Sequence, residues 1–274
     1  MRTSLLPLLL SAMLAPCLNA QAGAGDLLVS PARVILDAKT RSMELILSNR
    51  GGASGTYRIR LAQMVMTADG GIENAPAAPA GSTDPTELVR FAPHQVTLEP
   101  GQTQVLRVMA RKPADLADGE YRVHMIFQAV PPDLAGTTEP PKEKAKGVSI
   151  RLVAIMNLGI PIIIRQGELV VKTGLADLQL RHEQTQDVLS FRLTRTGNAS
   201  TYGNLKATFH PKDGKSITLG EMVGVAVYPP LEARNVKMPL RLPQGMVLKS
   251  GILRLSFQTE DKVAPEAEAQ LEIP

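Results

Sequence analysis

The 274-residue sequence has one cysteine, no tryptophan, and only four tyrosines, five phenylalanines and four histidines. The cysteine, Cys17, lies in the N-terminal apolar stretch. Once that stretch is removed, disulfides, thiol nucleophiles, thiolate zinc sites and iron–sulfur clusters all lack their sulfur. Stability must then come from burial. The shortage of aromatic residues leaves few platforms for stacking bases. An excess of one charge is also lacking: 30 Lys and Arg against 26 Asp and Glu give a net charge of +4, with no long basic run. No nucleic-acid partner is expected.

Long apolar runs are missing after the N-terminus. The nearest candidate, residues 152–164, is interrupted by Asn157, Gly159 and Pro161, so no transmembrane span is expected in the mature chain. The recognisable catalytic patterns are missing too. His94, His124, His182 and His210 are far apart and none falls in an HExxH spacing. The sequence has no GxSxG elbow, no phosphate-cradling loop and no dinucleotide fingerprint. No enzyme activity, catalytic residue, metal site or cofactor is expected. His124, between Val123 and Met125, should point out from its strand into solvent. Asn198-Ala199-Ser200 matches a glycosylation acceptor, but after Gly197 it reads as a turn.

What is present begins with a leader. Arg2 is the sole charge of the first 20 residues and precedes Leu5, Leu6, Leu8, Leu9 and Leu10, then small residues. This is the layout of a secretory signal peptide, placed over residues 1–22, with cleavage sites after Ala20, Ala22 or Ala24. Pro16 before Cys17 argues against a lipid anchor there.

From Asp26 onward the apolar residues alternate. Met43, Leu45 and Leu47 are followed by Tyr57, Ile59 and Leu61, by Val96 and Leu98, by Val105 to Met109, and by Tyr121, Val123, Met125 and Phe127. A period of two marks half-buried strands. Turn signals such as Asp69-Gly70-Gly71, Glu99-Pro100-Gly101 and Asp118-Gly119 separate them. Only Pro113 to Ala117 suggests a helical turn. Residues 131–146 are rich in proline and lysine and read as a loop. A boundary is expected at Arg165-Gln166-Gly167, after which a second set of strands runs to Ile273. Many short strands in two sets give an all-β fold, with two β-sandwich domains in tandem, residues 25–165 and 167–274.

The most informative segment is 147–164. Its even positions, Val148, Ile150, Leu152, Ala154, Met156, Leu158 and Ile160, form one apolar stripe, whereas Ser149, Arg151, Asn157 and Gly159 stand between them. The stripe is longer than one ordinary strand needs. It is either a core strand running into the interdomain hinge or, in part, an edge offered to another chain.

The sequence resembles the periplasmic pilus-assembly (fimbrial) chaperones over residues 27–165. The residues that carry the resemblance are Val29-Ser30-Pro31-Ala32-Arg33-Val34-Ile35-Leu36-Asp37, Ser42 to Asn49, Leu98-Glu99-Pro100-Gly101-Gln102-Thr103-Gln104-Val105-Leu106-Arg107, and Tyr121 to Pro131. The resemblance implies two immunoglobulin-like domains set in an L and a periplasmic location. It also implies a chaperone that fills the open groove of a pilus or fimbrial subunit with a donor strand and delivers the subunit to an outer-membrane usher. Val148, Ile150, Leu152, Ala154, Met156 and Leu158 fall at the donor strand. Arg33 matches the family's arginine for the subunit's terminal carboxylate. The family's partner lysine has no counterpart, because Pro161 takes its place; Arg151 and Arg165 are the nearby basic residues. The free protein could also self-associate through the exposed edge. A secreted immunoglobulin-like structural or adhesive protein is the alternative, with the whole stripe internal.

Overall fold

The structure, a computed structural model, describes residues 26–76, 83–130, 157–183, 186–260 and 264–274. The signal-peptide segment, the 131–146 loop and stripe positions 148–156 lie outside the described residues. The first half contains β1 (Leu27–Ser30), β2 (Val34–Leu36), β3 (Ser42–Asn49), β4 (Gly55–Ala62), β5 (Met64–Met66), β6 (Ile72–Asn74), β7 (Val89–Ala92), β8 (Gln95–Leu98), β9 (Thr103–Ala110), β10 (Gly119–Val130) and β11 (Asn157–Gln166). The second half contains β12 (Val171–Glu183), β13 (Gln186–Gly197), β14 (Thr201–Pro211), β15 (Ile217–Val227), β16 (Ala233–Pro239), β17 (Gly251–Thr259) and β18 (Ala267–Ile273). The fold is all-β, two immunoglobulin-like sandwiches in tandem.

One sheet of the first sandwich has the order β1-β3-β9-β7 and the other β2-β11-β10-β4-β8. Alternation explains the core between them. Leu45 and Leu47, Leu106 and Val108, Val123, Met125 and Phe127, and Ile160, Ile162 and Ile164 all point inward and pack as one cluster. Each such side chain contributes on the order of 1.5–3 kcal/mol on burial, and no cysteine stands among the described residues. The second sandwich has sheets β12-β13-β16 and β15-β14-β17-β18. Its core gathers Leu189, Phe191 and Leu193 with Leu205, Phe209, Leu253, Leu255 and Phe257.

Pro113 to Ala117 forms a single hydrogen-bonded turn, with Leu116 N donating to Pro113 O at 3.3 Å. A short 3-10 helix not anticipated from the sequence stands at Pro85–Leu88, where the Asp84 carboxylate accepts from Thr86 N and proline occupies the first turn. The Asp69-Gly70-Gly71 signal does mark a turn. It closes the β5–β6 hairpin, which pairs as Met64↔Asn74 and Met66↔Ile72.

The hairpin ties the two sandwiches together. Asn235 N donates to Ala68 O at 2.7 Å, and Asn235 Nδ2 donates to Asp69 Oδ1 at 3.2 Å. Gly70, at φ +84, lies where any Cβ would collide with the Arg234 guanidinium. Met66 packs with Ile163, Ala226 and Tyr228 in a small third cluster, so the interdomain contact has its own apolar core.

Candidate functional site

β10 and β11 give the cleft its residues through strand parity. Odd residues of β10 enter the first core, so Glu120, Arg122, His124 and Ile126 face the opposite way. In β11 the even residues Ile160, Ile162 and Ile164 are inward, which turns Pro161, Ile163 and Arg165 outward. β2 runs parallel to β11, with Val34 opposite Ile162 and Ile35 opposite Ile163. Arg33, one residue before β2, therefore belongs to the outward row of Pro161. On the other side, antiparallel β10 sets His124 opposite Pro161 and Arg122 opposite Ile163.

The second sandwich meets this face with two tyrosines. The Arg33 guanidinium carbon stands 3.9 Å from the centroid of the Tyr202 ring, and that of Arg122 stands 4.2 Å from the Tyr228 ring. Cation–π contacts of this kind fix guanidinium planes without using their N–H groups. Arg122 Nη2 donates to Met64 O at 3.0 Å. The remaining buried donors, Arg33 Nε and Nη2 and Arg122 Nε and Nη1, have no acceptor among the described residues. Burial pulls the Arg122 guanidinium below its usual value, and Tyr228 and Glu120 oppose that shift. Tyr228 in turn is pushed up by burial and pulled down by Arg33 and then Arg122, so both cations act on the same hydroxyl.

The Glu120 side chain is fully buried; its Oε2 accepts from Ser200 Oγ at 2.9 Å and from Arg165 Nε at 3.3 Å. Arg165 is thus engaged with a carboxylate of the chain itself. A cavity of about 230 Å³ is lined by Arg33, Ile35, Arg165, Tyr202, Glu260 and Glu266.

Of the expected site residues, Arg33 lies in this cleft between the sandwiches rather than on an open surface. Leu158 is described and half-buried against the first core. Val148, Ile150, Leu152, Ala154 and Met156 lie outside the described residues, as does Arg151. His124 does point away from the sandwich core, but it is not solvated: it is 5% exposed and its Nδ1 has no partner among the described residues. Burial, aided by Arg122, lowers its pKa to about 4. Asn198 is used in a turn, as expected. Its Nδ2 donates to Glu168 O at 2.9 Å and its Oδ1 accepts from Val170 N at 2.8 Å. Among the described residues no group of three His, Cys, Asp or Glu could hold a metal ion, and no helix is long and apolar enough to cross a membrane.

Arg122, Tyr202 and Tyr228 were not anticipated as site residues. The parity of Tyr121, Val123 and Met125 already turned Arg122 outward. Nothing in the sequence said that a second sandwich would cover it.

Residues 26–165, just over half of the chain, match the family described as "Pili and flagellar-assembly chaperone, PapD N-terminal domain". No curated protein matches the chain in sequence. Among solved structures, the YadV chaperone is 14% identical, covering 90% of this chain and 100% of its own, with a TM-score of 0.44. The Pseudomonas aeruginosa CupB2 chaperone is 13% identical over 90% and 100%, with a TM-score of 0.44. A Salmonella enterica SafA pilin complex with the SafB chaperone matches at 17% identity over 93% and 98%, with a TM-score of 0.42.

Proposed function

This chain belongs to the pili and flagellar-assembly chaperone family, and from that premise we propose that it is a periplasmic, non-enzymatic chaperone for pilus or fimbrial subunits. It holds a subunit by donor-strand complementation and passes it to an outer-membrane usher. The observation that carries this reading is Arg33, a partly buried guanidinium in the interdomain cleft, stacked on Tyr202 and with two N–H donors that no acceptor among the described residues takes. A planar fork of that kind suits a carboxylate. The subunit's C-terminal carboxylate is the group it binds.

The donor strand is the continuation of β11 toward its N-terminal side. Leu158, Ile160, Ile162 and Ile164 share a face and Ile160 onward fill the chaperone's own core. Val148, Ile150, Leu152, Ala154 and Met156 have the same parity, so in an uninterrupted strand they stand on that same face, beyond Leu158. In this reading they enter the subunit groove, with backbone pairing for affinity and alternate side chains for register. An open apolar groove on a subunit is an aggregation site, and the strand covers it.

The test is co-expression with an exported pilus-type subunit, followed by a periplasmic pull-down. Wild type is expected to copurify with the subunit, whereas Leu152→Glu and Arg33→Ala lose it while retaining wild-type melting. Normal binding by Leu152→Glu would place the stripe outside the interface.

A further inference from the structure

We infer that Pro161 is a positioning residue: it ends the hydrogen-bonding edge of β11 beside Arg33 and so sets the register of a bound subunit strand. This rests on the reading that a subunit strand pairs with β11 and that Arg33 takes its terminal carboxylate.

The direction of the edge follows from strand pairing. β10 and β11 pair without a register shift from Gly119↔Gln166 to Gln128↔Asn157, and Pro161 stands inside that run, opposite His124. In an antiparallel ladder alternate residues exchange both backbone bonds with the partner strand, and the residues between them aim N–H and C=O the other way. Proline has no N–H to exchange, so its place is among the latter. Ile160, Ile162 and Ile164 therefore bond to β10, whereas Asn157, Gly159, Pro161, Ile163 and Arg165 direct their backbone groups to the opposite edge.

β2 occupies only part of that edge. It pairs in parallel at Val34↔Ile162, Ile35↔Ile163 and Leu36↔Ile164, and no other described strand adjoins β11 on that side. Asn157 and Gly159 are exposed there. Arg33 immediately precedes β2, so the free stretch of edge ends at its level. Between that stretch and β2 lies Pro161, the one edge-facing position of β11 without a donor.

A strand docked on the free stretch is collinear with β2. To bring its terminal carboxylate to Arg33 it must run in the direction of β2, parallel to β11, with its last residue level with Pro161. Any other residue at that position would donate its N–H to this last residue and hold the carboxylate in the ladder. Pro161 donates nothing. The carboxylate is left to the guanidinium, whose Nε and Nη2 have no acceptor among the described residues. Backbone pairing thus reaches Gly159, and charge recognition begins beyond it.

The experiment restores the missing donor. Pro161→Ala is made in the mature chaperone, and amide exchange at positions 157, 159 and 161 is measured free and in complex with one purified pilus-type subunit, together with the affinity. In wild type, Asn157 and Gly159 should exchange slowly only in the complex. In the variant the new amide at position 161 should likewise be fast when free and slow when bound, and affinity should rise roughly twofold to tenfold for one added hydrogen bond. Arg33→Ala should cost less affinity in the Pro161→Ala background than in wild type, because both donors then serve one carboxylate. Pro161→Val, which suits a strand better, is the companion variant if alanine disturbs β11. An amide at position 161 that exchanges equally free and bound, with Asn157 and Gly159 protected, would overturn the register and leave strand pairing intact. Equal exchange at all three positions in the free and bound chaperone would remove strand pairing at this edge, and the inference with it.

Discussion

Replacing Arg195 with methionine is expected to destabilise the second sandwich by about 3 to 5 kcal/mol, from stranding buried carbonyls at roughly 1 to 3 kcal/mol each. Arg195 is 4% exposed. Its Nη1 donates to Gly197 O at 2.7 Å and to Ala199 O at 3.0 Å, and its Nε donates to Leu231 O at 3.1 Å. These bonds shape the loop between β13 and β14, which carries Ser200 to Glu120 and leads into Tyr202 against Arg33. Stability and cleft geometry are thus joined at one side chain. Urea unfolding read by circular dichroism checks the prediction, and Arg195→Lys, which keeps the charge but reaches fewer carbonyls, should lose less. A loss below about 1 kcal/mol for the methionine variant would mean that those carbonyls are satisfied without the arginine.

The second large effect is acid destabilisation through His124. Burial, and secondarily Arg122, holds its pKa near 4 instead of 6.5. Between those values the unfolded chain binds a proton that the folded chain does not, so stability falls as pH falls through this window and is fully present above it. Holding the imidazole neutral across that interval corresponds to about 3 kcal/mol. His124→Leu removes the titrating group from a site that already excludes water. Urea midpoints taken from pH 7 down to pH 4 should converge on those of the variant at neutral pH and diverge by that amount at acid pH. Parallel curves for wild type and variant would show that His124 is charged as readily folded as unfolded.

The sheets were largely legible because alternation sorts faces without knowledge of partners. Tyr121, Val123, Met125 and Phe127 marked one face of β10, and that face is in the core. The same parity turns Arg122 and His124 outward, and for His124 outward was read as solvent. A second sandwich lies across that face, and its docking depends on long-range pairings such as Asn235 with Ala68, which no local pattern encodes. The 3-10 turn at Pro85–Leu88 did carry a local signal, Asp84 before Pro85, but four residues are too few for periodicity to reveal. Arg33 was placed by resemblance; its stacking on Tyr202 joins residues 169 positions apart and could come only from the fold.

In β11 Pro161 lies opposite His124 of β10, and the parallel β2 pairing brings Arg33 to its other flank. Glu120 is bonded to Arg165 and Ser200, and its charge also offsets the burial of Arg122.

If residues 147–158 pair with a subunit as proposed, amide hydrogen exchange on the chaperone, free and in complex with a purified pilus-type subunit, will read that pairing out. Backbone pairing in the groove should slow exchange across 147–158 in the complex by orders of magnitude relative to the free protein, with Arg33→Ala reducing the protected fraction at equal concentrations. Equal exchange across 147–158 in the free and fully bound chaperone, with protection appearing elsewhere, would contradict the account.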